Sequence, residues 1–571
     1  MASPEVALPR DSSEEGEHRF SPGIANDKDE KDRRQNDSAS SLNAEDEVVW
    51  HYLTFETDLP TSTHHNSQGS SNNRPLEAPP QCPDLKKYTS PFLWSERRKS
   101  FMTWLSCVVT MFTAYNAGAY SSGLDQMTAE WHVSNVAGLV GITTFTCGFG
   151  IAPMFLAPFS EINGRRPIFL TTGLLWVVFQ VVCATTPTYA GMIVARFLVG
   201  CASSTFSTMV GGVVSDIYHA VDRNTAMTLF TASAMFGTGF GPLISGFIAQ
   251  RVSWRWIFWV QVIVDGILMV FIVFFFKETR GSVLLSRKAK ALNKWYDRLE
   301  SAGYYGMAMP SELDPQKTIV QRIRWKCKAD EERSSIGNMV RISLYRPFHM
   351  LITEPVVFFF SLWISFSWGV LYMTFSAIPL IYSTTYGFDL QQTGAIFAAV
   401  SIAAVIFTFI CIYQERVASK YLPEKHKEIL RTPEGRLYFA CVESALLPIG
   451  ILWFGVSGAY PQCHWIVPTL GIALATMGVF SVYLAVFNYL ADAYHRYASS
   501  ALAAQSFCRN ILAGAFPLFT RQMFQAMTYQ GAGGFLGGVG FILTIVPWIL
   551  LLYGPKIRAK SKLASEILIK D

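Results

Sequence analysis

The chain has 571 residues, of which 50% are hydrophobic, 14% aromatic and only 16% charged, against roughly 25% charged in ordinary soluble domains. That composition sets it apart from soluble domains and places it with multi-span membrane proteins. Its net charge of +5 does not indicate nucleic-acid binding, because the basic residues lie in the connections between apolar runs and form no interleaved basic and aromatic face.

Residues 1–95 are rich in Ser, Asn, Asp, Glu and Pro, with patches such as THHNSQGSSNNRP, and bury too little apolar surface to fold. A disordered cytoplasmic tail is expected there, with no signal-peptide layout at its start, so that the first span directs insertion. His64 and His65 are adjacent, yet an exposed pair in a flexible tail is usually no metal site. Ten cysteines without C-x-x-C spacing fall mostly inside apolar runs, where they simply pack. Neither a disulfide framework, a metal site nor a cofactor is expected.

From Phe101 onward come apolar runs long enough to cross about 30 Å of hydrocarbon. About twelve are expected, near 101–122, 136–157, 167–186, 189–213, 225–248, 254–276, 354–378, 392–413, 436–457, 464–488, 498–523 and 532–553. The long gap between the sixth and seventh divides the chain into a six-helix half at 96–276, a central loop at 277–350, a second six-helix half at 351–553 and a tail at 554–571. The connections around GRRP, KETRGSVLLSRKAKALNKWYDR, KYLPEKHKEILRTPEGR and GPKIRAKSK hold nearly all the Lys and Arg near the spans. By the positive-inside rule, both termini and the central loop are cytoplasmic.

Two six-span halves joined by a basic loop are the mark of a secondary transporter built from repeats. A seven-span receptor has too few spans, His-x-x-His boxes of a membrane desaturase are absent, and no Walker-type loop is present to use ATP. Between the second and third spans the chain reads LAPFSEINGRRPIF. Gly164 permits a tight turn there, Pro167 suits a first helical turn, and Arg165 and Arg166 set positive charge at the cytoplasmic face, with Glu161 one turn away. An ordinary positive-inside loop would look much the same.

APFSEINGRRP resembles the major facilitator loop motif, with Ala157, Phe159 and Glu161 at its first three places and Glu standing for the usual Asp. SPFLWSERRKS, SWRWIFWVQ, KETRG, PEGRLY, YLADAYHRYASSALAA and RNILAGAFPLF are together similar to the fungal drug:H⁺ antiporter group with twelve spans. The resemblance covers about residues 90–560. It implies an all-α membrane protein of the major facilitator fold, two six-helix halves around a central cavity. It also implies that the loop arginines pair with Asp216 at the end of span four and clamp the halves shut on the cytoplasmic side. Arg196, in ARFLVGCASS, matches the family's span-four arginine and is expected in coupling; alternatively it forms a structural bridge.

The stretch MFGTGFGPLISG matches the motif that, in this superfamily, goes with exporters working as antiporters. Gly237, Gly241 and Gly246 let a neighbouring helix approach, while Pro242 frees a carbonyl and marks a place to bend. A static small-residue packing face is the plainer alternative. Asp265 and Glu443 lie at depths where hydrocarbon should be, which makes each a functional hypothesis by default, against a satisfied structural hydrogen bond. Asn116, Tyr120, Gln261, Tyr372, Phe375, Tyr483 and Asn488, polar or aromatic on apolar spans, suit the wall of a cavity for bulky amphipathic organics, though singly each is more often packing.

The expected function is a proton-driven exporter of hydrophobic drugs, fungicides or secondary metabolites, monomeric, in a plasma membrane or, failing that, a vacuolar one. The partners are the bilayer, protons and the exported molecule. A proton-coupled importer of a polar metabolite would need more midplane charges, and a non-transporting sensor would need a long structured extension.

Overall fold

The computed structural model describes residues 48–60, 63–65, 79–219, 222–302, 304–310, 318–331, 336–421, 423, 432–494 and 497–560. What the sequence suggests for residues 1–47 and 561–571 lies outside them. Two compact units divide the chain: Met1–Pro83 with Ala289–Lys326, and Asp84–Lys288 with Cys327–Asp571.

The larger unit is helical, because a chain in hydrocarbon must satisfy its own N–H and C=O groups. Its first set of helices is α1 (Glu96–Ser122), α2 (Asn135–Asn163), α3 (Arg165–Thr185), α4 (Tyr189–Ile217), α5 (Arg223–Arg251) and α6 (Arg255–Phe275). After α7 (Gly281–Ser301), which continues into the smaller unit, and α8 (Ile336–Thr353), the second set follows. It comprises α9 (Pro355–Tyr386), α10 (Leu390–Ala418), α11 (Pro433–Ser457), α12 (Ile466–Tyr494), α13 (Ala498–Leu543) and α14 (Ile545–Lys560).

Among the described residues, ten helical stretches are long and apolar enough to cross a membrane. The 62-residue stretch Ala498–Ala559 holds two of the runs read from the sequence, because the helix breaks at Thr528, where φ is 62° and ψ 166°. α1 is the twelfth. It falls below the hydropathy of the others because Thr103, Ser106, Thr110, Thr113 and Asn116 lie along it, and all are buried inside the bundle.

α6 shows how one helix serves both environments. Ile263, Ile267, Val270 and Phe274 follow helical spacing and are exposed, the face that lipid covers, while Gln261, Asp265, Leu268 and Ile272 form the buried face. The two sets of helices touch along α2 with α13 and α5 with α10.

The smaller unit departs from an all-helical chain. Strands β1 (Val48–Tyr52), β2 (Thr63–His65), β3 (Tyr304–Pro310) and β4 (Thr318–Lys326) form a sheet in the order β1-β4-β3-β2. β1 runs parallel to β4, with Val48 opposite Arg322 and Tyr52 opposite Lys326; β3 is antiparallel to β4. The expectation of disorder across residues 1–95 therefore fails at Val48–Tyr52. VVWHY holds four strand-favouring residues, Val48, Val49, Trp50 and Tyr52, in a polar segment whose average composition conceals them. His64 and His65 fall on β2, and their side chains lie outside the described residues.

Helix and sheet of this unit are joined by polar contacts. Asn293 donates to the Trp325 carbonyl at 2.9 Å and accepts from the Trp325 N–H at 2.8 Å. Arg322 and Arg324 both bridge to Glu300, at 3.0 and 2.9 Å. Burial pushes the Glu300 carboxyl up, but the hydrogen bonds and charges of Arg324 and Arg322 outweigh it and hold the group below the usual carboxylate range.

Candidate functional site

The turn between α2 and α3 needs a residue at positive φ, and Gly164 supplies it at φ +101°. A Cβ there would lie 2.1 Å from Glu278 Oε2, so the absent side chain also admits that carboxylate. Glu278 accepts from the backbone N–H groups of Arg165 at 2.8 Å and Arg166 at 3.3 Å, capping the start of α3. The Arg165 guanidinium donates to Asp216 at 3.1 Å and to the Ser160 hydroxyl at 2.8 Å. Asp216, at the end of α4, also takes Arg280 at 3.2 Å and the Thr279 hydroxyl at 3.4 Å. Arg165 and Asp216 are buried together, Arg166 is exposed and donates to the Val273 carbonyl, and half-buried Glu161 makes no ion pair among the described residues.

Every partner of Arg165 here lies in the first six-helix set or in the segment that directly follows α6. The expected pairing with Asp216 is formed, but as a brace within one half; it does not bridge the two. Glu278, Thr279 and Arg280, from the KETRG stretch, complete it, which the sequence alone does not indicate.

A second brace sits in the other half. Arg436 donates to Asp492 at 2.8 Å, 56 residues along the chain, as Arg165 reaches Asp216 across 51. Glu434, beside it, takes a two-pronged bond from Arg558 at 2.8 and 2.9 Å. The halves are joined by Arg223, at the start of α5, which donates to the same Asp492 at 2.8 Å. Asn224 next to it donates to Glu415 and accepts from Asn488 at 3.1 Å. Asn488, expected in the cavity wall, thus belongs to this inter-half contact. The repeated Gly-Arg before spans three and nine was the available signal for the second brace.

The glycines of α5 bring three helices together. A Cβ at Gly237 would stand 2.1 Å from the Met111 carbonyl oxygen of α1, and one at Gly241 2.5 Å from the Tyr115 oxygen. The Thr238 carbonyl, which Pro242 deprives of its helical N–H, faces Gly118 of α1. On the opposite face, Gly239 and Gly246 meet Phe397 and Gly394 of α10. α5 runs as one continuous helix through Pro242, so the proline exposes a carbonyl to a close neighbour and causes no break.

The buried polar groups form two clusters. In the first half, Gln180 donates to Asn116 and to Gln261, and Asp265 lies beside Gln180 and Asn116 with its Oδ2 unpartnered. Arg196, fully buried, donates to the Gly141 carbonyl at 3.3 Å and the Asn116 carbonyl at 3.4 Å. Its guanidinium carbon lies 4.7 Å from the Tyr120 ring centre and 4.4 Å from that of Phe145. The Tyr120 hydroxyl is spent on the Gly138 carbonyl at 3.0 Å. Arg196 thus has carbonyl and ring partners and, among the described residues, no carboxylate.

In the second half, Trp368 stacks on Tyr483 at 5.0 Å between centres, Tyr483 on Phe487 at 4.5 Å, and Tyr372 meets Phe375 edge-on at 5.1 Å. Arg509 of α13, within RNILAGAFPLF, lies over Trp368, Tyr483 and Phe487 of this row, and nothing in the sequence singles it out. Glu443 is set apart, its Oε2 accepting from the Ser481 hydroxyl at 2.6 Å and its Oε1 unpartnered.

Residues 106–518 match the model of the Major Facilitator Superfamily. A transporter of Penicillium rubens, paaT, is 32% identical over 480 residues, covering 83% of this chain and 82% of the relative. The probable drug/proton antiporter YHK8 of Saccharomyces cerevisiae is 30% identical over 465 residues, 81% and 85% of the two chains. The multidrug transporter FLR2 of Candida glabrata is 28% identical over 485 residues, 83% and 77%. The solved proton:xylose symporter XylE aligns at a TM-score of 0.55 and 13% identity, over 80% of this chain and 97% of that one, a likeness of fold.

Proposed function

This chain belongs to the major facilitator superfamily, and from that premise we propose that it is a proton-coupled secondary transporter exporting hydrophobic drugs or secondary metabolites. The observation that carries export is the glycine face of α5, held within van der Waals reach of α1 on one side and α10 on the other. Sliding or rocking of one half on the other passes through the α5–α10 side of that face, where small residues keep the contact close without interlocking. Relatives named for multidrug transport and drug/proton antiport support the direction. The protein works in the plasma membrane, and the Lys and Arg around GRRP, KETRG and PEGR support termini and basic loops on the cytoplasmic side.

Cells preloaded with a fluorescent hydrophobic drug should lose it faster when the protein is present, and a protonophore should abolish the difference. Loss that survives collapse of the proton gradient and stops on ATP depletion would refute the coupling.

The braces keep the ends of α3, α4 and α6 in register while the halves move. Arg165→Ala should reduce efflux at unchanged surface abundance, and Asp216→Ala should reduce it further, because Asp216 serves Arg165, Arg280 and Thr279 together. Stranding a buried charge in this way costs on the order of 3–5 kcal/mol locally. Initial efflux rates normalised to surface-labelled protein decide it, and full activity in both variants would remove the brace from the mechanism.

A further inference from the structure

Among the described residues, three arginines are buried in the larger unit, and their surroundings differ. Arg165 has a carboxylate and a hydroxyl, and Arg196 has two backbone carbonyls. Arg509, 1% exposed, has neither: its Nε and Nη1 have no hydrogen-bond partner among the described residues. Its guanidinium carbon lies 4.6 Å from the centre of the Trp368 ring, 4.9 Å from Tyr483 and 5.8 Å from Phe487. Ring faces attract a cation but satisfy none of its N–H groups directionally.

One turn earlier on the same face of α13, Gln505 is fully buried and both ends of its amide are unpartnered. Donors on Arg509 therefore lie against an aromatic row, with the donor and acceptor of the Gln505 amide one turn along the same helix face. Phe230 of α5 joins that row from the other half, 6.4 Å from Tyr483 and 6.5 Å from Phe487. The Tyr372 hydroxyl lies in the electrostatic field of both Arg509 and Arg196. The site is thus cationic, flat-walled and built from both halves, where alternating access requires a substrate to bind.

We propose that Arg509 and Gln505 anchor the charged end of an amphipathic aromatic carboxylate, whose arene lies along Trp368, Tyr483 and Phe487. A guanidinium fork matches a carboxylate in two parallel hydrogen bonds, and burial strengthens them. The carboxylate supplies the counter-charge that no described residue places beside Arg509. Organic cations are disfavoured there by the same charge. This assignment rests on the export reading and narrows it from hydrophobic molecules in general to acids carrying a flat apolar body.

Equilibrium binding to the purified full-length protein in lipid nanodiscs tests the anchor separately from transport. The probes are 1-pyrenebutyrate and its neutral amide, which share one arene, read by energy transfer from tryptophan to pyrene. Wild-type protein should bind the carboxylate about tenfold or more tightly than the amide, the usual worth of a charge-assisted pair. Arg509→Gln should bring the carboxylate to the amide's affinity and leave the amide within about twofold. Arg509→Lys, keeping charge without the fork, should fall between. Equal affinity of wild type for both probes would overturn the anchor without reference to any variant. So would a parallel loss of both probes in Arg509→Gln, which marks a structural residue. Export by wild type of a neutral drug but no carboxylate preference would leave the transporter standing and this inference refuted; a tenfold preference with no gradient-driven export would do the reverse.

Discussion

Gly241→Leu is expected to lower efflux below about a tenth of wild type while the chain still reaches the membrane. The first added carbon alone would stand 2.5 Å from the Tyr115 oxygen and 2.9 Å from the Ala119 nitrogen. Both are backbone atoms of α1, so no rotamer change clears them, and three further carbons must follow. Overpacking of this kind costs roughly 1–3 kcal/mol even where side chains can adjust; here α1 and α5 must separate, and α5 is the helix that also meets α10 through Gly239 and Gly246. Leucine keeps the segment apolar, so insertion survives. Gly266→Leu on α6 is the matched control, because nothing lies within 4 Å of a Cβ added there. Surface labelling and drug efflux are measured together, and normal efflux by Gly241→Leu at normal abundance would return the motif to passive packing.

Asp265→Asn is expected to uncouple transport from the proton gradient. Asp265 is 1% exposed, beside Gln180 and Asn116, which also ties to Arg196 through its carbonyl. A carboxyl in that position changes the net charge of the first half's polar cluster when it gains or loses a proton, and so weights inward- and outward-facing states differently. Asparagine preserves size and hydrogen bonding and removes the titration. The variant should bind substrate and exchange it across the membrane, yet build no concentration gradient, and the pH dependence of its efflux should flatten. Reconstituted vesicles with an imposed pH gradient provide the measurement. Uphill export at the wild-type level would reassign Asp265 to structure and move attention to Glu443, whose Oε1 is also unpartnered although Ser481 holds its other oxygen.

Much of this architecture is legible along the chain because hydrocarbon imposes length and polarity on each span independently of its neighbours. Apolar runs therefore reveal the crossings, and Lys and Arg in the connections suggest their direction. Gly164 and Arg165 are readable for a related reason: a turn at positive φ and a charge at a helix end are local demands. The failure at Val48–Tyr52 is equally physical, since a five-residue strand gains its stability from β4, more than 260 residues away, and is lost in a composition average.

What the chain alone could not decide is which polar residues meet. Asn116 and Gln261 share Gln180, Asn488 goes to the contact between halves, Tyr120 spends its hydroxyl on Gly138, Tyr483 lies under Arg509, and Phe375 packs edge-on against Tyr372. Each was only one polar or aromatic side chain on an apolar run. Sequence by itself determined the number of apolar crossings, the division into halves, the local turns and the glycine spacing of α5, all of which follow from the period and polarity of single segments. Tertiary structure decided that Arg165 braces one half, that Arg223 and Asp492 join the two, and that Arg509 is left facing aromatic rings. Those outcomes depend on the rotation and depth of helices against one another, set by packing between segments distant in sequence.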